Sequence, residues 1–424
     1  MGLTATRLVV ARADLLSGLA QLLRRERSSG APNWLTGPLA QGRTPNGIDL
    51  LAGPLAAGPG VGYGQGLLAG LGRTPLRVLP RVAGEGAWAV LCLGEGAEAG
   101  SYYAAWQRAG HCPLEPIDEV ALAGPGFPCT GQRRSSGGPG ERWSRTAGAL
   151  GDKAWLRLRS LSVAVVGCGR TGSQLAMGLA RSGWGRLVLV DPDLVEEANL
   201  DASATMGQAE LGWPKVEAVA RAVAGLGAGT EVVTLQCPVG DLEALWHVRG
   251  ADLVACCADD DGARWATAVL ASLYLRPVLD IGTGVSVEGG QWRAGADVRL
   301  VYPGEGCLVC AGGLSRPERA ASYRRGAAEH GGWHHQRAGS LASLNLKAVG
   351  LGLGMAEGAA SGKLGSSAWQ HLEVGRSGLA TLEQRRLSPA RDCPLCRLRG
   401  RGDSALGQVP SLPGEATAHM LSGQ

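Results

Sequence analysis

Between residues 161 and 281 one hydrophobic pattern recurs, a short apolar run followed by a stretch with helical spacing. The runs are LSVAVV (161–166), GRLVLVD (185–191), EVVTLQ (231–236), DLVACC (252–257) and PVLDI (277–281). Between them lie TGSQLAMGLARS (171–182), a helix predicted from Pro214, DLEALWHV (241–248) and a helix predicted from Asp261. Apolar runs without alternation read as strands covered on both faces, and their exchange with helices predicts right-handed βαβ units. The predicted fold is α/β, a doubly wound, Rossmann-like and mostly parallel sheet. From Gly284 to Val301 polar and apolar positions alternate with glycine breaks, which predicts antiparallel strands appended to that sheet.

Upstream the pattern is irregular. Two strands are predicted, Leu76–Val82 and Trp88–Leu93, beside the Gly-rich stretch GPLAAGPGVGYGQGLLAGLG (53–72). GQRRSSGGPGER (131–142) has the Gly, Ser, Pro and charge content of an exposed linker. The expected organisation is a smaller N-terminal accessory domain over 1–137, a main domain over 138–400 and a flexible tail over 401–424. A length of 424 residues suits one large and one small core.

Charge and targeting features narrow the function classes. With 41 basic against 37 acidic residues, the chain has no electrostatic case for a nucleic-acid partner. MGLTAT at the start fits a myristoylation pattern formally, but ARADLLSGLAQLLRRER (11–27) follows it as an amphipathic helix. Neither a secretory apolar region nor a run of about 18 uncharged apolar residues is present, so no membrane association is expected and the location is read as cytoplasmic. Eleven cysteines, an odd number, speak for reduced thiols with metal or catalytic use.

Gly167, Gly169 and Gly172 lie between a predicted buried strand and a helix, where bare backbone N–H groups and a helix N-terminus face phosphate. Asp191 ends the next strand, where a carboxylate accepts bonds from ribose hydroxyls. To this point an NAD-binding domain fits equally well. The following residues discriminate: Asp193 and Asn199 lie just past the strand, Lys215 starts a helix, and Asp259 follows a later strand with Arg264 behind it. A dehydrogenase needs neither a lysine nor a metal-binding acid on the phosphate side, whereas an adenylating enzyme needs both. Each residue has a plain structural reading as well. Asp259, Asp260 and Asp261 suit a helix N-cap, Lys215 suits a solvated surface, and Arg264 either orients Asp259 or touches nucleotide.

Taken in order, GxGxxG, DxD-x5-N-L, a lysine sixteen positions on and D-x4-R after an apolar strand resemble the ThiF/MoeB/HesA family over roughly Glu141 to Arg399. The resemblance implies ATP-dependent adenylylation of the C-terminal carboxylate of a small ubiquitin-like or sulfur-carrier-like protein, with a conjugating enzyme as a further partner. It implies that Asp259 holds Mg²⁺ and that Lys215 stabilises charge on the phosphates. Arg145, in ERWSRTAGAL, matches the arginine that reaches the partner subunit's nucleotide in dimeric members, which implies a homodimer. YPGEGCLVC and ARDCPLC match the two halves of the family's zinc site, so Cys307, Cys310, Cys393 and Cys396 are the expected ligands of a structural Zn²⁺; four thiolates close a tetrahedral shell. His334 and His335 stand between the halves as alternative ligands.

Two departures are visible. The family's arginine three positions after Asn199 is Ala202 here, and Arg170, inside the glycine loop, is the candidate substitute. No cysteine lies from Ala311 to Asp392, where many relatives carry a thioester cysteine. Cys168 lies in the phosphate loop, Cys256 and Cys257 end a buried strand and suit core positions, and Cys112 and Cys129 lie in loop-like surroundings. An adenylyltransferase acting on a peptide in antibiotic biosynthesis and a scaffold without turnover are the alternative functions.

Overall fold

The computed structural model describes residues 7–11, 40–43, 49–59, 87–95, 102–108, 115–116, 119–124, 139–201, 203, 205–288, 291–314 and 337–400. Two compact units partition the chain, one holding 1–124, 272–275 and 398–408, the other the remainder.

The first unit contains β1 (Arg7–Ala11), β2 (Ala40–Arg43), β3 (Asp49–Pro59), β4 (Ala87–Glu95), β5 (Tyr102–Arg108), β6 (Glu115–Pro116) and β7 (Glu119–Ala123) in the order β6-β5-β4-β3-β2-β1-β7. β4 covers the predicted strand 88–93, whereas 76–82, most of 11–27 and the tail 401–424 lie outside the described residues. The sheet is richer than the sequence pattern indicates. β3 runs into the Gly-rich stretch, where glycine and proline hide any alternation, and its pairing with β4 shifts register between Pro54 and Ala57.

The second unit opens with α1 (Ser144–Leu150) and α2 (Asp152–Ser160). The alternation then follows: β8 (Ser162–Val166), α3 (Arg170–Ser182), β9 (Arg186–Val190), α4 (Lys215–Gly225), β10 (Glu231–Leu235), α5 (Leu242–Val248), β11 (Leu253–Cys256) and α6 (Asp261–Leu273). β12 (Val278–Glu288), β13 (Gln291–Val301), β14 (Arg337–Gly339), α7 (Ala342–Ala360), β15 (Ala368–Val374) and β16 (Ala380–Arg385) complete it. The sheet order is β10-β9-β8-β11-β12-β13-β15-β16, with β14 paired to β12. β8 to β12 are parallel among themselves, and β12-β13-β15-β16 are antiparallel.

These strands form because their residues bury on the pattern their sequence sets. Val163, Val165, Leu187, Leu189, Leu253 and Ala255 pack with Leu175, Leu179, Val216 and Val219 of α3 and α4. Each fully buried Leu or Val contributes about 1.5–3 kcal/mol of transfer free energy, which fixes the helices over the sheet. In β13 Ala294, Ala296 and Val298 are buried with less covered residues between them, the period of two of an antiparallel strand, and from Val298 to Val301 every residue is buried. The winding direction reverses between β8 and β11, so their carboxyl ends open a crevice of the kind that receives ligands in doubly wound sheets.

Candidate functional site

That crevice is a cavity of about 910 Å³. Gly167, Gly169 and Arg170 follow β8, Asp191 and Asp193 follow β9, Asn199 lies on the β9–α4 connection and Lys215 starts α4. Asp259 and Asp260 follow β11, while Thr283 and Asn345 line the opposite side from β12 and α7. The fold thus brings eight of the expected site residues to the wall of one space, with Gly172 packed beneath the loop.

Two of the three loop glycines are required by contact. Gly167 has φ +88°, and a Cβ on it would lie 2.7 Å from the Ala258 amide nitrogen. A Cβ on Gly172 would collide with the Gly167 carbonyl oxygen. Gly169 precedes the first turn of α3 and supplies no side-chain cap, which leaves the first amides of that helix facing the cavity.

Asp191, 6% exposed, accepts N–H bonds from Cys168 at 2.6 Å and Asp193 at 2.9 Å. Burial raises its pKa, against the opposing pull of those two bonds and Lys215. The carboxylate expected to hold ribose therefore also joins the glycine loop to the β9 turn. Lys215 sits at the first position of α4, where its charge opposes the helix dipole, so helix stability does not explain it. Its ammonium donates to Asp193 at 2.8 Å. Burial pulls its pKa down, but the Asp193 bond and the charges of Asp191, Asp193 and Asp259 outweigh that and leave it raised.

The three acids after β11 divide. Asp260 accepts the Ala263 N–H at 2.6 Å and caps α6, as the plain reading had it, whereas Asp259 is exposed on the cavity wall. Arg264 has a task outside both expectations: it pairs with Asp280 at 2.7 Å and donates to the Ala258 carbonyl at 3.3 Å. Asn199 accepts the Glu196 N–H at 2.9 Å, closing its own turn. Arg170 lines the cavity while pairing with Asp201 at 2.7 Å and donating to the Ala198 carbonyl at 2.8 Å. Arg145 is exposed on α1 and is not brought to this chain's cavity. Ala202, Cys112, Cys129, His334 and His335 lie outside the described residues.

Thr283, Asn345 and Ser340 belong to the cavity without having been read from the sequence. The Thr283 hydroxyl donates to Asn345 Oδ1 at 2.9 Å, and Asn345 Nδ2 donates to Ser340 Oγ at 3.1 Å. The one signal was a polar asparagine inside the apolar run LASLNLKAVGL.

Cys307 and Cys310, after β13, meet Cys393 and Cys396, after β16. Their sulfurs all lie within 4.8 Å of one another, with Cys307–Cys393 at 3.4 Å, Cys310–Cys396 at 3.6 Å and Cys307–Cys310 at 3.7 Å. Four sulfurs about 2.3 Å from a tetrahedral Zn²⁺ would stand about 3.8 Å apart, so the donor set fits that ion. The hydrogen bond with Cys307 lowers Cys393 to about 6. Hydrogen bonds from the other three thiols drive Cys310 lower still. Burial instead raises Cys256 to about 11 and pushes Cys168 and Cys257 up; Cys168 and Cys256 are core thiols, whereas Cys257 is partly exposed on the cavity wall.

Fold and site define a nucleotide-binding domain of the doubly wound class. The ThiF family model matches residues 143–360, half of the chain, and the chain belongs to that family. It is similar to the adenylyltransferase and sulfurtransferase MOCS3 of Danio rerio, 31% identical over 158 residues that make up 36% of this chain and 34% of that protein. It is also similar to the SAMP-activating enzyme E1 of Haloferax volcanii, 33% identical over 116 residues, 27% of this chain and 43% of that protein. The chain thus spans about a third of the length of the MOCS3 relatives it matches. Among solved structures, E. coli MccB with MccA-N7isoASN shares the fold at 19% identity and TM-score 0.50, covering 61% of this chain and 75% of that one. Among the described residues no helix is long and apolar enough to cross a membrane.

Proposed function

We propose that the chain is an ATP-dependent adenylyltransferase that activates the C-terminal carboxylate of a ubiquitin-like or sulfur-carrier-like protein, in a bacterial conjugation pathway. The observation that carries this reading is Lys215: a cation at a helix start, held by Asp193 and facing the same cavity as the glycine loop and Asp259. The names of the MOCS3 and SAMP-activating relatives support it.

In the reaction a carboxylate oxygen of the carrier attacks the α-phosphorus of ATP. The bond from that phosphorus to the bridging oxygen breaks, and pyrophosphate leaves with the electron pair. Backbone amides at the start of α3 bind phosphate oxygens, and Lys215 stabilises the charge that grows on them. Asp191 orients the nucleoside while holding the loop that receives it. Arg170 substitutes for the arginine that position 202 lacks, and Arg145 reaches a second copy's nucleotide in a homodimer.

Among the described residues the charged side chains lining the cavity are five carboxylates and two cations, a balance that suits a divalent ion beside a triphosphate. Asp259 would hold Mg²⁺, which supplies charge neutralisation on the leaving pyrophosphate. At the four-cysteine cluster Zn²⁺ would act structurally, with every position closed by protein.

The deciding experiment is ATP–pyrophosphate exchange with small proteins that end in flexible glycine tails, run beside peptides with free C-termini. Mg²⁺-dependent exchange with a protein carrier, abolished in Asp259→Ala, supports the proposal. Exchange with peptides alone transfers the assignment to a peptide-modifying enzyme, and failure to bind nucleotide at all leaves a scaffold.

A further inference from the structure

Asp280 is a buried acid that the adenylation chemistry leaves unused. Asp280 in β12 is wholly buried and sits directly opposite Arg299 of β13 in the strand register. Arg299 Nη1 donates to Asp280 Oδ2 at 3.0 Å, while Arg264 Nη2 reaches Oδ1 at 2.7 Å and Oδ2 at 3.0 Å. Each arginine has a second hold, and both are backbone carbonyls. Arg264 Nη1 donates to Ala258, the residue before Asp259, at 3.3 Å. Arg299 Nε donates to Ala311, the residue after Cys310, at 3.1 Å.

Further contacts fix the same group. Arg299 Nη2 pairs with Asp297 at 3.1 Å, and Asp297 also accepts the Trp369 indole N–H at 2.7 Å and faces His371 Nδ1 at 2.9 Å. The Arg299 guanidinium lies 4.6 Å from the centroid of the Trp369 ring, which stands opposite it in the register. The chain leaving the cysteine turn packs close by: a Cβ on Gly313 would lie 3.3 Å from Asp280 Oδ2 and 3.4 Å from Arg299 Nη1.

A buried ion-pair group is a poor source of net stability, because desolvating its charges costs about what their attraction returns, and apolar residues of the same volume commonly do as well. What apolar residues cannot do is hold two distant carbonyls at fixed positions. We propose that Asp280 is a positioning residue for adenylation. Through Arg264 and Arg299 it ties the loop carrying Asp259 to the segment carrying Cys310, so that the cysteine cluster sets where the Asp259 carboxylate stands. This rests on the adenylation reading, with Asp259 as the Mg²⁺ ligand.

Binding of α,β-methylene ATP, titrated calorimetrically at a series of Mg²⁺ concentrations, tests it without a carrier protein. In Asp280→Asn the Mg²⁺ concentration at half effect rises by about tenfold or more, the size seen when an outer support of a metal ligand is removed. Affinity for the analogue without Mg²⁺ and zinc content by mass spectrometry stay at wild-type values. An unchanged Mg²⁺ dependence in a folded Asp280→Asn protein overturns the proposal. Should that variant not fold, Arg299→Lys takes its place, since one ammonium cannot span Asp280, Asp297 and Ala311 together. It shows the same shift if the tie is real, and wild-type behaviour overturns it. A wild-type protein whose analogue binding ignores Mg²⁺ defeats the adenylation reading itself and the positioning role with it.

Discussion

Lys215 and Asp193 are joined twice: the Lys215 amide donates to the Asp193 carbonyl at 3.0 Å, and its ammonium donates to the Asp193 carboxylate at 2.8 Å. The backbone bond fixes where α4 begins, and the side-chain bond aims the cation from there. Lys215 is largely covered, with 11% of its side chain exposed, whereas Asp193 is 63% exposed, so the acid is the partner that water can replace.

The two substitutions should therefore separate. Lys215→Ala is expected to lower pyrophosphate exchange by about 100-fold or more, the scale for removing one preorganised group that stabilises transition-state charge. Asp193→Asn keeps the backbone bond and the lysine, and should cost about tenfold or less. Equal losses would show that the pair acts as one unit.

Arg170 offers a test with opposite signs. Its guanidinium is held by Asp201, whose side chain is 66% exposed. If Arg170 serves the phosphates, Asp201→Ala removes its charged partner and tightens binding of an ATP analogue by up to about fivefold, the range for an exposed ion pair. Arg170→Ala should weaken binding. Unchanged affinity in both variants removes Arg170 from the phosphate site.

For the cysteine cluster the expected result is one Zn²⁺ per chain by native mass spectrometry, lost in Cys310→Ser and in Cys393→Ser. Because thiolates are the ligands, metal release should rise as the pH falls, and chelator-treated protein should melt at lower temperature. Wild-type protein isolated without metal, and equally stable, would count against a structural ion.

Asp297 provides a pH signature. Burial pushes its pKa up, but Arg299, the Trp369 indole and His371 prevail and hold it below the ordinary 3.8. A carboxyl with a depressed folded pKa contributes stability above its unfolded value and loses that contribution as pH falls through the folded value. Asp297→Asn should thus be less stable than wild type at neutral pH, by about 1 kcal/mol or more, with the gap closing below pH 3.8 in acid titrations followed by circular dichroism.

The parallel half of the sheet was legible because its residues report burial directly: VAVV (163–166) and LVLV (187–190) are apolar throughout and buried at every position. The glycine loop and the acids after each strand were legible because chemistry set their order. α7 was not read, since its apolar residues surround it and it packs against β12, β13 and α3 together, which erases the helical period. The Asp280 group was hidden for another reason. Its partners lie 16 and 19 residues away, and only the pairing of β12 with β13 and the placement of α6 bring three charges to one point. Asp280 in VLDI reads simply as a polar interruption in a strand. Arg264 could be flagged by spacing, but its partner could not.

The cysteine cluster gathers two segments with 82 residues between Cys310 and Cys393. With an ion bound, that span becomes a closed ring, and the ion is its clasp. A backbone cut anywhere in the ring, including 315–336, would leave two pieces still fastened through four sulfurs. Nicked protein should then migrate as a single particle, held by the ion together with the pairing of β15 on β13 and the packing of α7 on the sheet. Integrity of the domain would depend less on an unbroken chain through that stretch than on this inorganic fastener and the core contacts beside it.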